Sequence, residues 1–325
     1  MSHVPADGRA PDRIGEPARV PGRPPARSST SDPAPAYEIL RTVTPRAGVV
    51  LAANPSPMTL QGTNTWLLHS AGQDGLRAIV VDPGPDDAAH LDAVVAAAGA
   101  VVRILLTHGH PDHSDGARRL HERTGAPVSA LDPRWHLGGA GLHDGDVVAA
   151  AGVELRVLAT PGHTADSLSF VLPGDDGADG QVPGDDGADG QGGGDDGAGL
   201  GADRGAAVLT GDTVLGRGST VIAEPDGDLA AYLASLIRLG ELGPIRVLPG
   251  HGPDLSDAGA VTRAYLDHRR QRLDQVREAL ARLALDPDPG SAAAVVADVY
   301  PDVDPSLWPA ALQSVRAQLA YLRAE

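Results

Sequence analysis

The chain repeats a pattern in which a short apolar run is followed by a small turn residue and one polar side chain. Residues 101–106 are apolar except for Arg103, as in a buried strand, and residues 153–158 alternate apolar with polar positions. The runs at 206–209 and 245–248 are also predicted to be strands. Because loops that leave a sheet carry much of the chemistry of α/β proteins, the polar residues after these runs are candidates for function.

Helical segments are predicted between the strands. Residues 88–98, 115–124 and 228–239 are rich in helix-forming residues, and Ser114 or Asp115 can cap the second segment. Strands that alternate with helices predict an α/β fold.

The pattern changes after residue 260. A long helix is predicted there, because apolar residues are spaced along one helical face at Leu266, Leu273, Val276, Leu280 and Leu283. Two shorter helical segments follow at 291–299 and 306–323. We therefore predict an α/β domain over residues 37–258 and a small helical or winged-helix-like domain over residues 259–325.

Two stretches lack an apolar pattern. Residues 1–36 are rich in Pro, Arg, Ser and Gly, and they are predicted to be a disordered tail. Residues 173–206 contain Pro-Gly-Asp-Asp-Gly-Ala-Asp-Gly-Gln twice, at 173–181 and 183–191, and are predicted to be a flexible acidic loop. A calcium-binding repeat is the less favoured interpretation, because the tract lacks the apolar anchor and the period of nine.

Composition narrows the class of protein. The 325 residues are enough for one full core and a second small one. The absence of cysteine excludes a disulfide framework and a thiolate zinc site, and it suits the reducing cytoplasm. No apolar stretch approaches the ~20 residues of a membrane span, and the N-terminus has no apolar signal core. We predict a cytoplasmic protein without a membrane partner; its 26 basic residues are all Arg, which suggests a GC-rich bacterial genome.

The formal net charge of -17 is unevenly distributed. Residues 173–206 hold nine Asp and one Arg, a charge of -8, whereas residues 262–285 hold six Arg and three acidic residues, a charge of +3. Proteins that bind nucleic acids usually present a clear basic face. This modest basic stripe in an acidic chain weakens a nucleic-acid interpretation without excluding it.

Candidate metal ligands follow four of the predicted strands. The segment Thr107-His-Gly-His-Pro-Asp-His113 comes directly after the run at 101–106 and combines three imidazoles with one carboxylate. Neutral imidazole and carboxylate are the ligands that zinc prefers in the absence of thiolate. Single ligand-type side chains follow the other strands at His163, Asp212 and His251. The repeated arrangement predicts one metal centre built from several strand ends.

These motifs together resemble the metallo-β-lactamase superfamily. Five motifs match in order over residues 38–255: Asp82 in Val-Val-Asp-Pro-Gly, the His-x-His-x-Asp-His run, His163, Asp212 and His251. The resemblance implies an αββα sandwich of two mixed β-sheets, with helices outside and metals at one edge. Within the superfamily, residues 54–65, 211–220 and 265–269 and the C-terminal tail resemble the β-lactamase-like endoribonuclease type.

The resemblance also implies roles for the ligand residues. It implies two Zn²⁺ per chain, with iron or manganese as alternatives. One ion would be held by His108, His110 and His163, the other by Asp112, His113 and His251, and Asp212 would bridge them. Asp112 and Asp212 would be the catalytic carboxylates around a metal-bound hydroxide, since such a centre lowers the pKa of bound water towards ~7. Asp82 is predicted to orient a ligand through a hydrogen bond.

Three classes of hydrolase fit these ligands. The first is a phosphodiesterase on single-stranded RNA, for which Arg217, His268, Arg269 and Arg270 are candidate phosphate contacts. The alternative interpretation of these arginines is a solvated helix face, and the aromatic content of 3% offers few surfaces for base stacking. The second class is a glyoxalase II-like thioesterase, and the third, a β-lactamase, is disfavoured because no export signal is predicted.

Two interpretations other than a hydrolase fit the sequence less well. A mononuclear iron persulfide dioxygenase would differ in its metal, and seven ligand residues favour two metals over one. A scaffold with a degenerate site is disfavoured because no ligand position is substituted. No obligate protein partner is predicted.

Overall fold

The computed structural model describes residues 35–70, 77–174, 205–301, 304 and 308–325. Residues 1–34 of the predicted N-terminal tail lie outside the described residues. The same holds for residues 175–204 of the predicted acidic loop, which contain most of the repeat.

Two mixed β-sheets form the centre of the fold. The first has the strand order β1 to β6, antiparallel from β1 to β4 and parallel from β4 to β6. Its strands are β1 (Leu40–Thr44), β2 (Ala47–Leu51), β3 (Asn64–Leu68), β4 (Arg77–Val81), β5 (Ala100–Leu105) and β6 (Val128–Ser129). The second sheet has the order β11-β10-β9-β8-β7, with only β10 and β11 parallel. Its strands are β7 (Val147–Ala150), β8 (Val153–Ala159), β9 (Leu168–Leu172), β10 (Ala207–Gly211) and β11 (Arg246–Pro249).

Helices cover the outer faces of both sheets. Trp66 of the first sheet and Phe170 of the second lie in one buried cluster between the sheets. On the outside, α1 (Ala88–Ala98) and α3 (Gly116–Thr124) bury apolar side chains against the first sheet, and α4 (Leu229–Gly240) does so against the second. The predicted αββα sandwich is therefore confirmed.

The predicted helix at 115–124 is α3, which begins one residue later than predicted. A short helix, α2 (Pro111–Ser114), precedes α3, and Asp115 lies between them without a capping hydrogen bond from its side chain. The Ser114 hydroxyl donates back to the carbonyl of His110 at 2.9 Å, so it does not cap α3 either. Asp115 occupies the N-cap position of α3 as predicted, but its side chain makes no cap because its backbone is helical (φ -60°, ψ -33°), whereas a capping residue normally has an extended backbone.

The C-terminal region is helical, with α5 (Ala258–Leu283), α6 (Ala292–Val299) and α7 (Trp308–Ala324). Leu273, Val276 and Leu280 on the predicted apolar face of α5 are buried, but Leu283, in its last position, is 39% exposed. The predicted boundary after residue 258 falls at the start of α5 and stays a prediction. No helix among the described residues combines the length and apolar character that a membrane span needs. The cytoplasmic location stays a prediction.

Position 162, directly before His163, requires glycine because the backbone there lies very close to α4. Its φ is +132°, and a Cβ at this position would lie 2.3 Å from the backbone nitrogen of Tyr232. We expect Gly162→Ala to lower the free energy of unfolding by roughly 3 kcal/mol or more, because backbone strain and overpacking add. Urea denaturation of the metal-free protein measures this loss.

Gly125→Ala is the matched control for that substitution. Gly125 also has a positive φ, +72°, but nothing lies within 4 Å of a Cβ there. It should cost only about 1 kcal/mol, the price of the left-handed conformation alone. Equal losses in the two variants would show that the contact with α4 is unimportant.

Candidate metal centre

All seven predicted ligand residues meet at one edge of the sandwich, where strands of both sheets end. The loops that carry these residues come from both sheets. Three groups of their side chains could each hold a metal ion. His108 and His110 follow β5, Asp112 and His113 lie in α2, His163 follows β8, Asp212 follows β10, and His251 follows β11.

The first group is formed by three histidines. Nε2 of His108 lies 3.0 Å from Nδ1 of His110, which in turn lies 3.1 Å from Nε2 of His163. Ligand atoms 2.0–2.1 Å from a tetrahedral zinc ion are separated by about 3.3 Å. The three nitrogens are therefore spaced as donors to one ion would be.

The second group combines a carboxylate with two histidines. Nε2 of His251 lies 3.1 Å from Oδ2 of Asp112 and 3.2 Å from Nε2 of His113. The third separation, between His113 Nε2 and Asp112 Oδ2, is 3.4 Å. This group has the same donor spacing as the first.

Asp212 lies between the two groups. Its Oδ1 is 3.4 Å from Nε2 of both His113 and His251, and its Oδ2 is 3.7 Å from Nε2 of His163. Oδ1 is buried and has no hydrogen-bond partner among the residues that the structure describes. A buried carboxylate oxygen without a partner is costly, and a cation placed between the two groups would remove that cost. The residues therefore fit a pair of metal ions.

Backbone carbonyls fix two of the ligand imidazoles. Nδ1 of His163 donates to the carbonyl of Val221 at 2.9 Å, and Nδ1 of His251 donates to the carbonyl of Gly62 at 3.1 Å. Since a carbonyl oxygen only accepts, both histidines carry their proton on Nδ1. Their Nε2 lone pairs are thus left free to face the centre.

Asp82 fixes two further imidazoles, one directly and one through Thr107. Its carboxylate accepts the backbone N–H of Thr107 at 2.8 Å, the Thr107 hydroxyl at 2.7 Å, and Nδ1–H of His113 at 2.9 Å. Because the Thr107 hydroxyl gives its proton to Asp82, it accepts from Nδ1 of His108 at 3.0 Å. Asp82 therefore lies where the sequence placed it, behind the ligands, with a strained φ of +53°.

The two metal groups differ in charge when no metal is bound. Burial lowers the pKa of His108 and His110, and neighbouring imidazoles lower it further. Burial also opposes charge on His251, but the Asp212 carboxylate and a hydrogen bond to Asp112 raise its pKa to about 9. Despite burial, the hydrogen bond from His251 and the charges of His113 and His251 hold the pKa of Asp112 at about 2. His108 and His110 are thus neutral, whereas the second group holds protons that a metal must displace.

His113 and Asp212 form a second buried ion pair in the centre. Burial opposes the charge on each of them, and their mutual attraction outweighs that cost. Asp212 and Asp82 raise the pKa of His113 well above the ordinary value of histidine. In return, His113 and His251 hold the pKa of Asp212 well below its ordinary value. The Asp212 carboxylate is therefore ionised throughout the neutral range.

The predicted substrate residues differ in exposure and in surroundings. Arg217 is exposed on the loop after β10, and the exposed Arg270 pairs with Asp267 at 3.2 Å. His268 lines a cavity of about 360 Å³ between α5 and that loop. Arg269 lines the same cavity but is only 5% exposed, so its guanidinium does not lie on a solvated helix face.

Sequence reasoning missed Asp166, a carboxylate beside the three-histidine group, and two carboxylates whose charges act on it, Asp132 and Asp226; we call these three residues the acidic rim. Oδ2 of Asp166 would lie 3.2 Å from a Cβ on Gly109. Burial raises the pKa of Asp166, and the charges of Asp226 and Asp132 raise it further. Arg134 lies 2.5 Å from Asp132 and neutralises part of this charge. Only the position of Asp166, three residues after His163, was a signal in the sequence.

Two family models match the chain. One, described as the Metallo-beta-lactamase superfamily, matches residues 58–251, and one described as the Beta-lactamase associated winged helix domain matches residues 291–325. The Beta-lactamase-like protein 2 homolog of Drosophila melanogaster is 31% identical over 296 residues, which are 85% of this chain and 87% of that protein. The Atrochrysone carboxyl ACP thioesterase of Aspergillus chevalieri is 33% identical over 246 residues, which are 74% of this chain and 68% of that protein.

A crystal structure shares the fold. It is that of a Beta-lactamase domain protein from Burkholderia ambifaria, with a TM-score of 0.67 and 23% sequence identity over 91% of this chain and 92% of that chain. The family resemblance of the motifs is thereby confirmed. The chain belongs to the metallo-beta-lactamase superfamily, and it is a metal-dependent hydrolase of that superfamily with a C-terminal winged helix domain.

Proposed function

We propose that the protein is a dinuclear zinc hydrolase that cleaves thioesters. The observation that carries the dinuclear assignment is the position of Asp212, whose two oxygens face separate groups of three donors. Zinc ions bound there would polarise a carbonyl and lower the pKa of water, so that hydrolysis needs no side-chain nucleophile.

Residues of the chain orient the metal donors and the attacking water. The outward hydrogen bonds of His163, His251 and His113 fix the direction of each Nε2, so these donors are oriented before a metal arrives. Asp112 is the more open carboxylate, with 28% of its side chain exposed against 12% for Asp212. With its pKa at about 2, Asp112 stays ionised at neutral pH. We therefore assign Asp112 the role of accepting a hydrogen bond from the attacking water.

The charge around the centre favours a substrate whose reacting group is neutral. Asp166 of the acidic rim lies beside Gly109, which separates His108 from His110, and the carboxylates of the rim would repel the phosphates of a long polyanion. A thioester carbonyl carries no charge before it reacts. This difference supports a thioester over an RNA strand as the substrate.

The loop that follows Asp212 suits one anionic group on the substrate. Arg217 is exposed there, and His268 lines the neighbouring cavity of about 360 Å³. A thiol that bears a single carboxylate or phosphate could place it near these two side chains. A relative that is 33% identical is named as a thioesterase, which further supports this class.

Single-stranded RNA is the second candidate substrate. It is favoured by the resemblance of residues 54–65 and 211–220 to the endoribonuclease type, and by Arg217 on the loop that follows Asp212. A short oligonucleotide would meet the acidic rim less than a long strand would.

Metal content and hydrolysis, measured on one preparation, test this proposal. We expect about two zinc ions per chain by elemental analysis and turnover of a glutathione thioester or an acyl-carrier-protein thioester. A chelator should abolish turnover, and added zinc should restore it. Two zinc ions with RNA cleavage alone would replace the thioester by the second candidate. One iron ion per chain would refute the dinuclear hydrolase and favour the dioxygenase alternative.

A further inference from the structure

The segment of residues 212–221, which we call the bridging loop, joins the centre to the C-terminal helices. Its last residue, Val221, offers the carbonyl that orients His163 at 2.9 Å. The hydroxyl of Thr220 donates to the carbonyl of Asp212 at 2.7 Å, which closes the loop on itself. Thr220 therefore contacts Asp212 at one end of the loop and precedes Val221, whose carbonyl orients His163, at the other end.

Side chains of α4 and α5 hold the bridging loop from behind. The hydroxyl of Tyr232 donates to the carbonyl of Thr213 at 2.8 Å. The hydroxyl of Tyr265 both accepts from the backbone N–H of Leu215 and donates to its carbonyl, each at 3.1 Å. Three tyrosine hydrogen bonds thus fix the first half of the loop.

Arg269 of α5 holds the second half. Its guanidinium donates to the carbonyl of Thr220 and lies 4.9 Å from the ring centroid of Tyr232. A cation that is 95% buried loses most of its hydration, so these two contacts must replace it. A planar guanidinium can stack on the ring and donate to the carbonyl in a way that the ammonium of lysine cannot.

We infer that Arg269 is a positioning residue of the metal centre. It acts through Thr220 and Val221, which set the directions of Asp212 and of the His163 imidazole. The inference deepens the proposed function and rests on it, because the ligands it positions are those of the proposed zinc pair. It replaces the substrate contact predicted from the sequence, and it makes α5 a structural part of the hydrolytic site.

Zinc affinity, measured by competition with a chromogenic chelator, tests this role. We expect Arg269→Met to weaken the binding of at least one zinc ion by about tenfold or more, and Arg269→Lys to lose less. The kcat for the thioester should fall while KM stays near the wild-type value. Arg263→Met removes an exposed arginine of the same helix and should leave both zinc ions and kcat unchanged.

Two further measurements keep the outcomes separate. The zinc count of the wild-type protein reports on the proposed function, whereas the ratio of variant to wild-type affinity reports on Arg269. Wild-type affinity for two zinc ions in Arg269→Met would overturn the inference. If that variant does not fold, Tyr265→Phe removes only the hydroxyl contacts to Leu215 and should shift zinc affinity in the same direction. No shift in that variant would also count against the inference.

Discussion

Asp212→Asn should fold like the wild-type protein, bind fewer than two zinc ions, and lose about a thousandfold in turnover. Asp212 is the residue whose oxygens face both metal groups, at 3.4 Å from His113 and His251 and 3.7 Å from His163. An amide keeps the shape of the side chain but offers only one acceptor oxygen and no charge. Losing one ion removes several kcal/mol of charge stabilisation, which corresponds to about a thousandfold in rate.

Elemental analysis of Asp212→Asn, together with its kcat, checks this expectation. Asp92→Asn is the matched control, because it removes the same charge from an exposed position on α1 that pairs with Arg123. The control should keep two zinc ions and full turnover. An Asp212→Asn protein with two zinc ions and the wild-type rate would refute the bridging role.

The ligand residues could be located in the sequence because each one follows a strand closely. Four of them lie within His108–His113, and the strand before them is a recognisable apolar run. Strand ends meet at one edge of a sheet, so local patterns were enough to bring His163, Asp212 and His251 into the same site. Their assignment as ligands stays a prediction that the metal analysis will test.

Arg269 could not be assigned from the sequence, because its surroundings come from distant parts of the chain. The carbonyl it contacts belongs to Thr220, 49 residues earlier, and the ring beneath it belongs to Tyr232. Helical spacing places Arg269 next to the exposed Arg270 and gives no sign that one of the two is buried. The acidic rim is similar, since its three carboxylates come from three separate segments.

The exposed Leu283 shows a second limit of the pattern. Its spacing places it on the apolar face of α5, yet the helix ends there and Ala284 takes the left-handed conformation. Helical periodicity indicates which face is apolar. It does not indicate how far along that face the neighbouring helices extend.

The affinity of the second metal group for zinc should rise by at least about tenfold per pH unit from pH 6.5 to about pH 9. The physical reason is the second metal group, where the pKa of His251 is raised to about 9 and that of His113 is also raised. Below these values the imidazoles hold protons that zinc must displace, so each displaced proton contributes tenfold per pH unit. Chelator competition across this range, with calorimetry in buffers of different ionisation enthalpy, measures the affinity and the protons released.

The metal-free protein should show the opposite trend in stability. A histidine whose pKa is higher in the folded state than in the unfolded state stabilises the fold most at low pH. For His251 this contribution is fully present below about pH 6.5, and it is lost as the pH rises through about 9. The shift corresponds to roughly 3 kcal/mol, so the Tm of the metal-free protein should fall over the range in which zinc affinity rises.

The opposite directions of zinc affinity and of metal-free stability with pH identify the histidines of the second group as their common source. A general effect of pH on the protein surface would move stability and zinc affinity without this opposition, since surface charges do not compete with the metal. His143→Gln removes an imidazole that is 77% exposed, and it should leave both pH profiles unchanged. Zinc affinity that is independent of pH below 9 would mean that the second group is already free of protons. The charges of Asp112 and Asp212 would then be balanced by something other than His113 and His251.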